Sequence, residues 1–197
     1  MKRSNAFLLI VVALLLGFGA AIGIYLIEKN RYRKTITQIQ SVNLQHVYQL
    51  HEFKRVVGLD NVGQQQELFF VKVEQALPLQ AQLSELARAL SRHCFSYLPI
   101  EVQGIQEYDD KKVAVINLKE SEGFGTVETW YGASWAQGFF QGSLGGSSTS
   151  TILIESFLQR DNPLPWIDGV VFLYEDQTIR QFDHVAALEQ TVFRNDK

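Results

Sequence analysis

Ser134 has the sequence surroundings most typical of a catalytic nucleophile in this chain. It lies in Gly132–Ala136, GASWA, which approximates the G-x-S-x-G turn of serine hydrolases with alanine in the last position. Asp168 or Asp176 and then His184 follow in the chain order that such enzymes use. The turn requires a strand directly before the serine and a helix directly after it, and the neighbouring residues show neither pattern. A small serine hydrolase is therefore the alternative interpretation rather than the favoured one.

The aromatic residues around Ser134 favour a binding surface instead. Trp130, Tyr131 and Trp135 are interspersed with glycines in a long irregular segment, residues 119–146. Loops of this length in compact domains are usually functional or disordered, and the aromatic content argues against disorder. Tyrosine and tryptophan offer a large contact area with a polar edge, which suits sugar and protein surfaces. We predict ligand or partner contact at these three residues. Packing over the sheet is the alternative for them and the expectation for Phe139 and Phe140.

A glycine- and serine-rich stretch, Gly142–Ser148, precedes an apolar run and invites comparison with a phosphate-binding loop. Free amides and the helix dipole at a helix N-terminus favour anions. A phosphate loop, however, carries lysine after its last glycine, and Gly146 is followed by Ser147. We therefore expect a flexible turn that brings the backbone close to its neighbours, and then a helix from about Ser148 to Gln159 capped by Ser147 or Ser148.

The composition excludes several other kinds of site. The 197 residues include one cysteine and four scattered histidines, so no disulfide, metal site or cofactor is predicted. Residues 67–197 contain 10 Lys/Arg and 18 Asp/Glu, a net charge of −8, which argues against a nucleic-acid partner. Three acidic residues of the irregular segment are expected to be solvated: Glu120, Glu122 and Glu128. Assembly into a homo-oligomer is left open.

The N-terminal sequence predicts a membrane anchor. Residues 6–27, AFLLIVVALLLGFGAAIGIYLI, carry no charge and have the length of a helix that crosses a bilayer core. A cleaved signal peptide is the alternative, but the apolar run continues through Ile27, beyond the usual length of that type. Residues 1–5 form a basic tail that we place in the cytoplasm, with the C-terminal domain outside. Basic residues at 29–34 weigh against this orientation.

Residues 28–66 are predicted to be a juxtamembrane connector. Their apolar residues recur at heptad spacing, which indicates an amphipathic helix that lies on lipid or on its own domain, or pairs with a partner helix. These residues are Ile36, Ile39, Leu50, Phe53 and Val57. The turn-rich segment 58–66 places the domain boundary there, so that residues 67–197 form the folded domain.

The pattern of the folded domain predicts an α/β (α+β) fold. Strands are expected at 68–73, 98–108, 112–118 and 170–175, with a bulge at Gly104. The first helix should follow Pro78 and continue to about Ser91, and the second is the one beginning near Ser148. A short edge strand at 178–182 and a helix at 185–193 complete the domain. A small mixed sheet with two helices packed on one face is the simplest layered arrangement.

From Leu68 to about His184 the chain resembles the GerMN (sporulation and germination) domain. Leu98–Glu120, LPIEVQGIQEYDDKKVAVINLKE, has a proline-containing approach, a strand, a turn and a strand ending in Asn117-Leu118. Gly146–Gln177, GSSTSTILIESFLQRDNPLPWIDGVVFLYEDQ, has a Gly-Ser start, a helix and Ile-Asp-Gly-Val before a strand. The last strand of the family usually ends at a glycine turn, where this chain has Asp176-Gln177. The segment 123–145 is also longer and more aromatic than the family pattern.

The resemblance implies a small α/β domain akin to ring-building motifs, outside the cytoplasmic membrane, with a binding or assembly role and no known catalytic residues. Family members are often lipoproteins or membrane-anchored, and residues 6–27 are typical of the second kind. The expected protein is thus a single-pass envelope protein that contacts lipid through residues 6–27. Its folded domain is expected to recognise a protein partner or a cell-wall component.

Overall fold

A β-hairpin begins the described part of the chain. The computed structural model describes residues 50–125, 132–180 and 182–196. Strand β1, His51–Leu59, pairs antiparallel with β2, Gln65–Glu74. Asp60 organises the connecting turn, since its Oδ1 accepts from the amides of Val62 at 2.9 Å and Gln64 at 2.8 Å. Residues 58–66 are therefore a hairpin turn with its flanking strand ends, where the sequence predicted a domain boundary.

Strand β1 takes the place of the predicted connector helix at residues 51–59, because its core face and its outer edge both have tertiary partners. Val56 and Val57 are buried. The amide of Arg55 donates to the side-chain carbonyl of Gln159 at 2.9 Å, and the Gln159 amide group donates to the Arg55 carbonyl at 2.7 Å. The amide of Val57 donates to Ser156 Oγ at 3.2 Å. These partners outweigh the heptad pattern that suggested a helix, and His51–Lys197 forms one compact unit.

The larger sheet is mixed, as predicted. It comprises β3 (Ile100–Tyr108), β4 (Lys111–Leu118), β5 (Gly169–Tyr174), β6 (Gln177–Thr178) and β7 (Val192–Phe193). The strand order is β3-β4-β5-β6, and β7 also pairs with β5. Strands β4 and β5 are parallel, whereas the other pairs are antiparallel. The register shift between Val102 and Gly104 is the bulge expected near Gly104.

Two α-helices pack with this sheet around one core. Helix α1, Leu79–Cys94, follows Pro78 and buries the predicted face of Leu83, Leu86, Ala87 and Leu90. Helix α2 spans Ser143–Leu158. Leucines of both helices and Phe157 of α2 join Ala114, Ile116 and Leu118 of β4 in one hydrophobic cluster. The coarse prediction of a mixed α and β domain is therefore confirmed.

Helix α2 begins five residues before the predicted start. Gly142 precedes it with φ of 73°, and no side chain caps it, so the predicted serine cap is wrong. Gly145 and Gly146 lie inside the helix. A Cβ built on Gly146 would lie 2.3 Å from the carbonyl oxygen of His184, so this glycine allows the close backbone approach that the sequence suggested, but from within a helix.

The C-terminal segment is not the predicted helix at 185–193. It forms a 3₁₀ turn at Asp183–Leu188 and then strand β7. Val185 and Leu188 are buried in the core and hold the turn in place. Val192 pairs with Val170, and Phe193 pairs with Gly169, so β5 provides backbone partners that a helix would not use.

The predicted anchor at 6–27, its tail and residues 28–49 of the connector lie outside the described residues. Among the residues that the structure describes, no helix is long and apolar enough to cross a membrane.

Candidate binding site at the π-helical turn

A single π-helical turn, Trp135–Phe139, lies in the segment predicted to be irregular. Ser134 is its N-cap, and its Oγ accepts a hydrogen bond of 3.0 Å from the amide of Gln137. At the end of the turn, the carbonyl of Phe139 accepts a hydrogen bond of 2.9 Å from the hydroxyl of Thr149 of α2. The segment is thus built from specific local structure and is fixed to α2.

Glu120 holds the start of this turn against the sheet. Its Oε1 accepts from Ser134 Oγ at 3.0 Å, the amide of Ala136 at 2.9 Å and the hydroxyl of Tyr174 at 2.9 Å. Its Oε2 accepts from the amide of Trp135 at 3.2 Å. Burial, together with the bond to Glu120, raises the pKa of Tyr174, so its hydroxyl remains a donor at neutral pH. The sequence had placed Glu120 in solvent, and its position directly after β4 is the only local signal for this role.

The side chain of Trp135 lies in the core rather than on the surface. It is fully buried, and its Nε1 donates to the carbonyl of Lys119 at 2.9 Å. Its ring centroid is 4.8 Å from that of Phe95 and 5.6 Å from that of Phe139. Because Trp135 is buried, it has no surface for the predicted partner contact. The alternative interpretation, packing over the sheet, fits this residue. Phe140 is buried, as expected.

The other two predicted contact residues, Trp130 and Tyr131, lie outside the described residues. Their partner contact remains a prediction. They directly precede Gly132 in the chain, where the described part of the segment resumes.

A cavity of about 500 Å³ opens beside the π-helical turn. Its walls combine the end of the α1 region, the turn itself and the first turn of α2. Most of the lining is small or flexible backbone, with one aromatic ring, and comprises Ser96, Gly132, Ala133, Ser134, Gln137, Gly138, Phe139 and Gly145. Such a surface offers backbone polar groups and an apolar wall to a ligand or a partner side chain.

The residues of the hydrolase alternative, all of which the structure describes, do not hydrogen-bond to one another directly. Ser134 Oγ donates to Glu120. Asp168 lies just before β5 and accepts a hydrogen bond from the amide of Lys112 at 2.8 Å, whereas Asp176 lies beyond the other end of β5. Within the described ranges, no hydrogen bond joins His184 to Ser134 or to either aspartate. The described residues therefore show no hydrogen-bonded Ser-His-Asp chain, and the hydrolase alternative stays a prediction.

Asp176 instead stabilises the turn between β5 and β6. It accepts from Gln103 at 2.8 Å and from buried Asn117 at 2.7 Å, and it pairs with Lys119. The hydrogen bond from Lys119 is the main reason that the pKa of Asp176 is lowered. Glu175 and Asp176 have φ of 49° and 64°, a conformation that glycine usually supplies. These side-chain bonds hold the turn where the family pattern has glycine.

No family model, curated protein or solved structure matches this chain. The likeness to the GerMN domain therefore rests on the two sequence stretches and remains a prediction. In the described ranges, no group of three His, Cys, Asp or Glu side chains is placed to hold a metal ion.

Proposed function

We propose that this chain is a membrane-anchored binding or assembly module of the bacterial cell envelope. Its acidic folded domain recognises a protein partner or a cell-wall component at the surface of the π-helical turn. Trp130 and Tyr131 contribute to partner contact, residues 6–27 anchor the chain in the cytoplasmic membrane, and the folded domain lies outside.

The anchoring of the turn by Glu120 is the observation that carries this proposal. A glycine-rich segment is costly to order, because glycine loses the most conformational freedom on folding. Here three hydrogen bonds from the turn and its N-cap to one carboxylate, which also accepts from β5, fix the turn. The cavity-lining residues Gln137, Gly138 and Gly145 remain exposed. A binding surface held in one conformation lowers the entropy cost of association, which favours recognition.

We also propose that the folded domain has a GerMN-like fold akin to ring-building motifs. A strand, helix, two-strand, helix, strand order from β2 to β5, with both helices in one core, supports the GerMN-like and ring-building-like interpretation. The net charge of −8 in residues 67–197 supports a partner other than nucleic acid.

Site-specific photo-crosslinking in intact cells tests the surface. A photoreactive residue at Gln137 should give adducts, whereas the same residue at Gln80, an exposed glutamine of α1, should not. Protein adducts indicate a protein partner, and co-sedimentation of the purified full-length chain with isolated cell walls indicates a wall component. Adducts at position 137 but not at position 80, or loss of cell-wall co-sedimentation in Gln137→Arg but not in Gln80→Arg, supports the site. Equal behaviour of the two positions would contradict it.

Protease added to intact cells tests the orientation. The folded domain should be digested without breaking the cytoplasmic membrane, after removal of any outer permeability barrier. Complete protection until that membrane is lysed would contradict an extracytoplasmic domain.

A further inference from the structure

A second cavity, of about 340 Å³, lies between α2 and the 3₁₀ turn Asp183–Leu188. Its lining differs from that of the cavity at the π-helical turn, because polar side chains predominate. Ser147, Ser150 and Thr151 line it from α2, and Asp183 and His184 line it from the 3₁₀ turn. On a helix, positions three and four residues apart share a face, so the three hydroxyls form one row.

Ser150 is the unusual member of this row. It is only 5% exposed, and its Oγ has no hydrogen-bond partner. A buried hydroxyl without a partner destabilises the fold, so such a group in a native structure calls for a ligand or an ordered water. Ser150 lines the cavity, but less than 1 Å² of its Oγ is accessible, so a molecule in the cavity can supply the missing bond once the side chain turns to another staggered rotamer.

The remaining polar groups of the cavity are also available. No hydrogen bond to the side chains of Ser147, Thr151, Asp183 or His184 is made by any described residue. Hydroxyls and imidazole both donate and accept, whereas an ionised carboxylate only accepts, through two oxygens, and therefore suits a pair of neighbouring ligand hydroxyls.

The charges of the cavity disfavour an anionic ligand. Glu155 is paired with Arg160, whose Nε lies 3.1 Å from both carboxylate oxygens. Arg160 also donates to the carbonyl of Phe193 at 2.8 Å, so it is committed to the fold. Asp183 then leaves the cavity with an uncompensated negative charge, and phosphate or carboxylate would be repelled.

Apolar groups complete the lining. Ile154, Ala186 and Ala187 provide short apolar side chains beside the polar groups. A ligand that matches both parts needs several hydroxyls around its edge and an apolar C–H face.

We propose that this cavity binds a neutral pyranose sugar. Ser150 and Asp183 bond its hydroxyls, and Ile154, Ala186 and Ala187 contact its C–H face. The volume lies at the lower end of the range of ligand sites, which suits a single sugar ring, either free or at the end of a glycan. This site does not depend on the partner surface at the π-helical turn.

Saturation-transfer NMR on the full-length chain in detergent tests the proposal. The probes are methyl glucoside, methyl galactoside and methyl N-acetylglucosaminide at about 10 mM, above the millimolar Kd of a weak single-ring site. Inorganic phosphate, followed by ³¹P line width, is the anionic comparison. A disaccharide of N-acetylglucosamine distinguishes the end of a glycan from a single sugar, since only the former gains affinity with the added ring.

Ser150→Ala and Asp183→Asn should each weaken binding of the best glycoside by about three- to tenfold, because each removes one ligand bond. Ser147→Ala changes an exposed position of the same cavity, so any change in glycoside binding that it causes does not come from loss of the fold. Ser84→Ala on the exposed face of α1 is the control and should bind like the wild type. Thermal melting of each variant verifies that it is folded.

Saturation transfer from the wild type to at least one glycoside supports the site if this transfer is weaker in the folded Ser150→Ala and Asp183→Asn variants. Absence of transfer to all three glycosides, transfer that these variants leave unchanged, or preferential binding of phosphate would overturn it. Absence of transfer would mean that water alone satisfies Ser150.

Discussion

At the scale of single residues, Glu120 connects the candidate site to the sheet. Glu120→Gln would replace one acceptor oxygen by an amide donor. At the Oε2 position this donor faces the amide of Trp135, and at the Oε1 position it faces the donors of Ser134, Ala136 and Tyr174. We expect a loss of about 2 kcal/mol in the free energy of unfolding, since bonds to charged groups are the stronger ones. Urea denaturation measures it. Glu122→Gln, at an exposed position of the same segment, should change stability by less than about 0.5 kcal/mol. Equal effects would show that Glu120 is solvated.

The buried charge of Lys54 costs folding free energy unless a counter-ion compensates it. Its side chain is 0% exposed, its Nζ lies 2.6 Å from Glu52 and its charge lies 3.7 Å from the centre of the Trp166 ring. Glu52→Gln leaves the ammonium without its counter-ion and should cost about 3 kcal/mol. Adding Lys54→Met should recover most of that loss, because well-packed apolar residues replace buried ion pairs at little cost. Urea unfolding of the single and double variants checks this, and a double variant no more stable than Glu52→Gln would contradict it.

The same lysine gives a dependence of stability on pH. Burial lowers the pKa of Lys54 below 10.5, so between the two values the unfolded chain binds more protons than the folded one. This group therefore adds stability as the pH rises through its folded pKa towards 10.5. Unfolding of the wild type and of Lys54→Met, compared between about pH 7 and about pH 10, should show a difference that grows in favour of the wild type. A difference that is constant with pH would mean that Lys54 has an ordinary pKa.

At the scale of elements, the start of α2 offers a matched pair of glycines. A Cβ on Gly146 would meet the His184 carbonyl at 2.3 Å, whereas a Cβ on Gly145 has nothing within 4 Å. Gly145→Ala should stabilise by about 0.5–1 kcal/mol, because alanine is the better helix former. Gly146→Ala should instead destabilise by about 1–3 kcal/mol through overpacking. Thermal melting of the two variants distinguishes them, and stabilisation by both would refute the close packing of α2 against the 3₁₀ turn.

At the scale of the whole molecule, the hairpin decides where the folded domain begins. A fragment of residues 67–197 follows the boundary expected from sequence but lacks β1. It would expose the core at the site of Val56 and leave Ser156 and Gln159 without their bonds to β1. A fragment of residues 50–197 retains these contacts. We expect cooperative urea unfolding of the longer fragment only, and cooperative unfolding of both would show that β1 is dispensable.

The sequence alone determined the parts of this protein whose pattern is local. Helix α1 was predictable because Pro78 and the spacing of its leucines are sufficient signals, and strands β2 to β5 were predictable from β-branched and aromatic runs between turns. The segment around Ser134 and Trp135 was also identified as the candidate site, because glycines and aromatics in a long connection are a local pattern.

Only the tertiary structure decided the rest, because the deciding partners are distant in the chain. Strand β1 depends on Gln159, which is 104 positions from Arg55. At the start of α2, Gly146 packs against the backbone of His184, a distant partner that the local pattern of two poor helix formers does not reveal. Glu120 is a solvated carboxylate in the local pattern, and it becomes an anchor only because the π-helical turn and Tyr174 direct their donors at it.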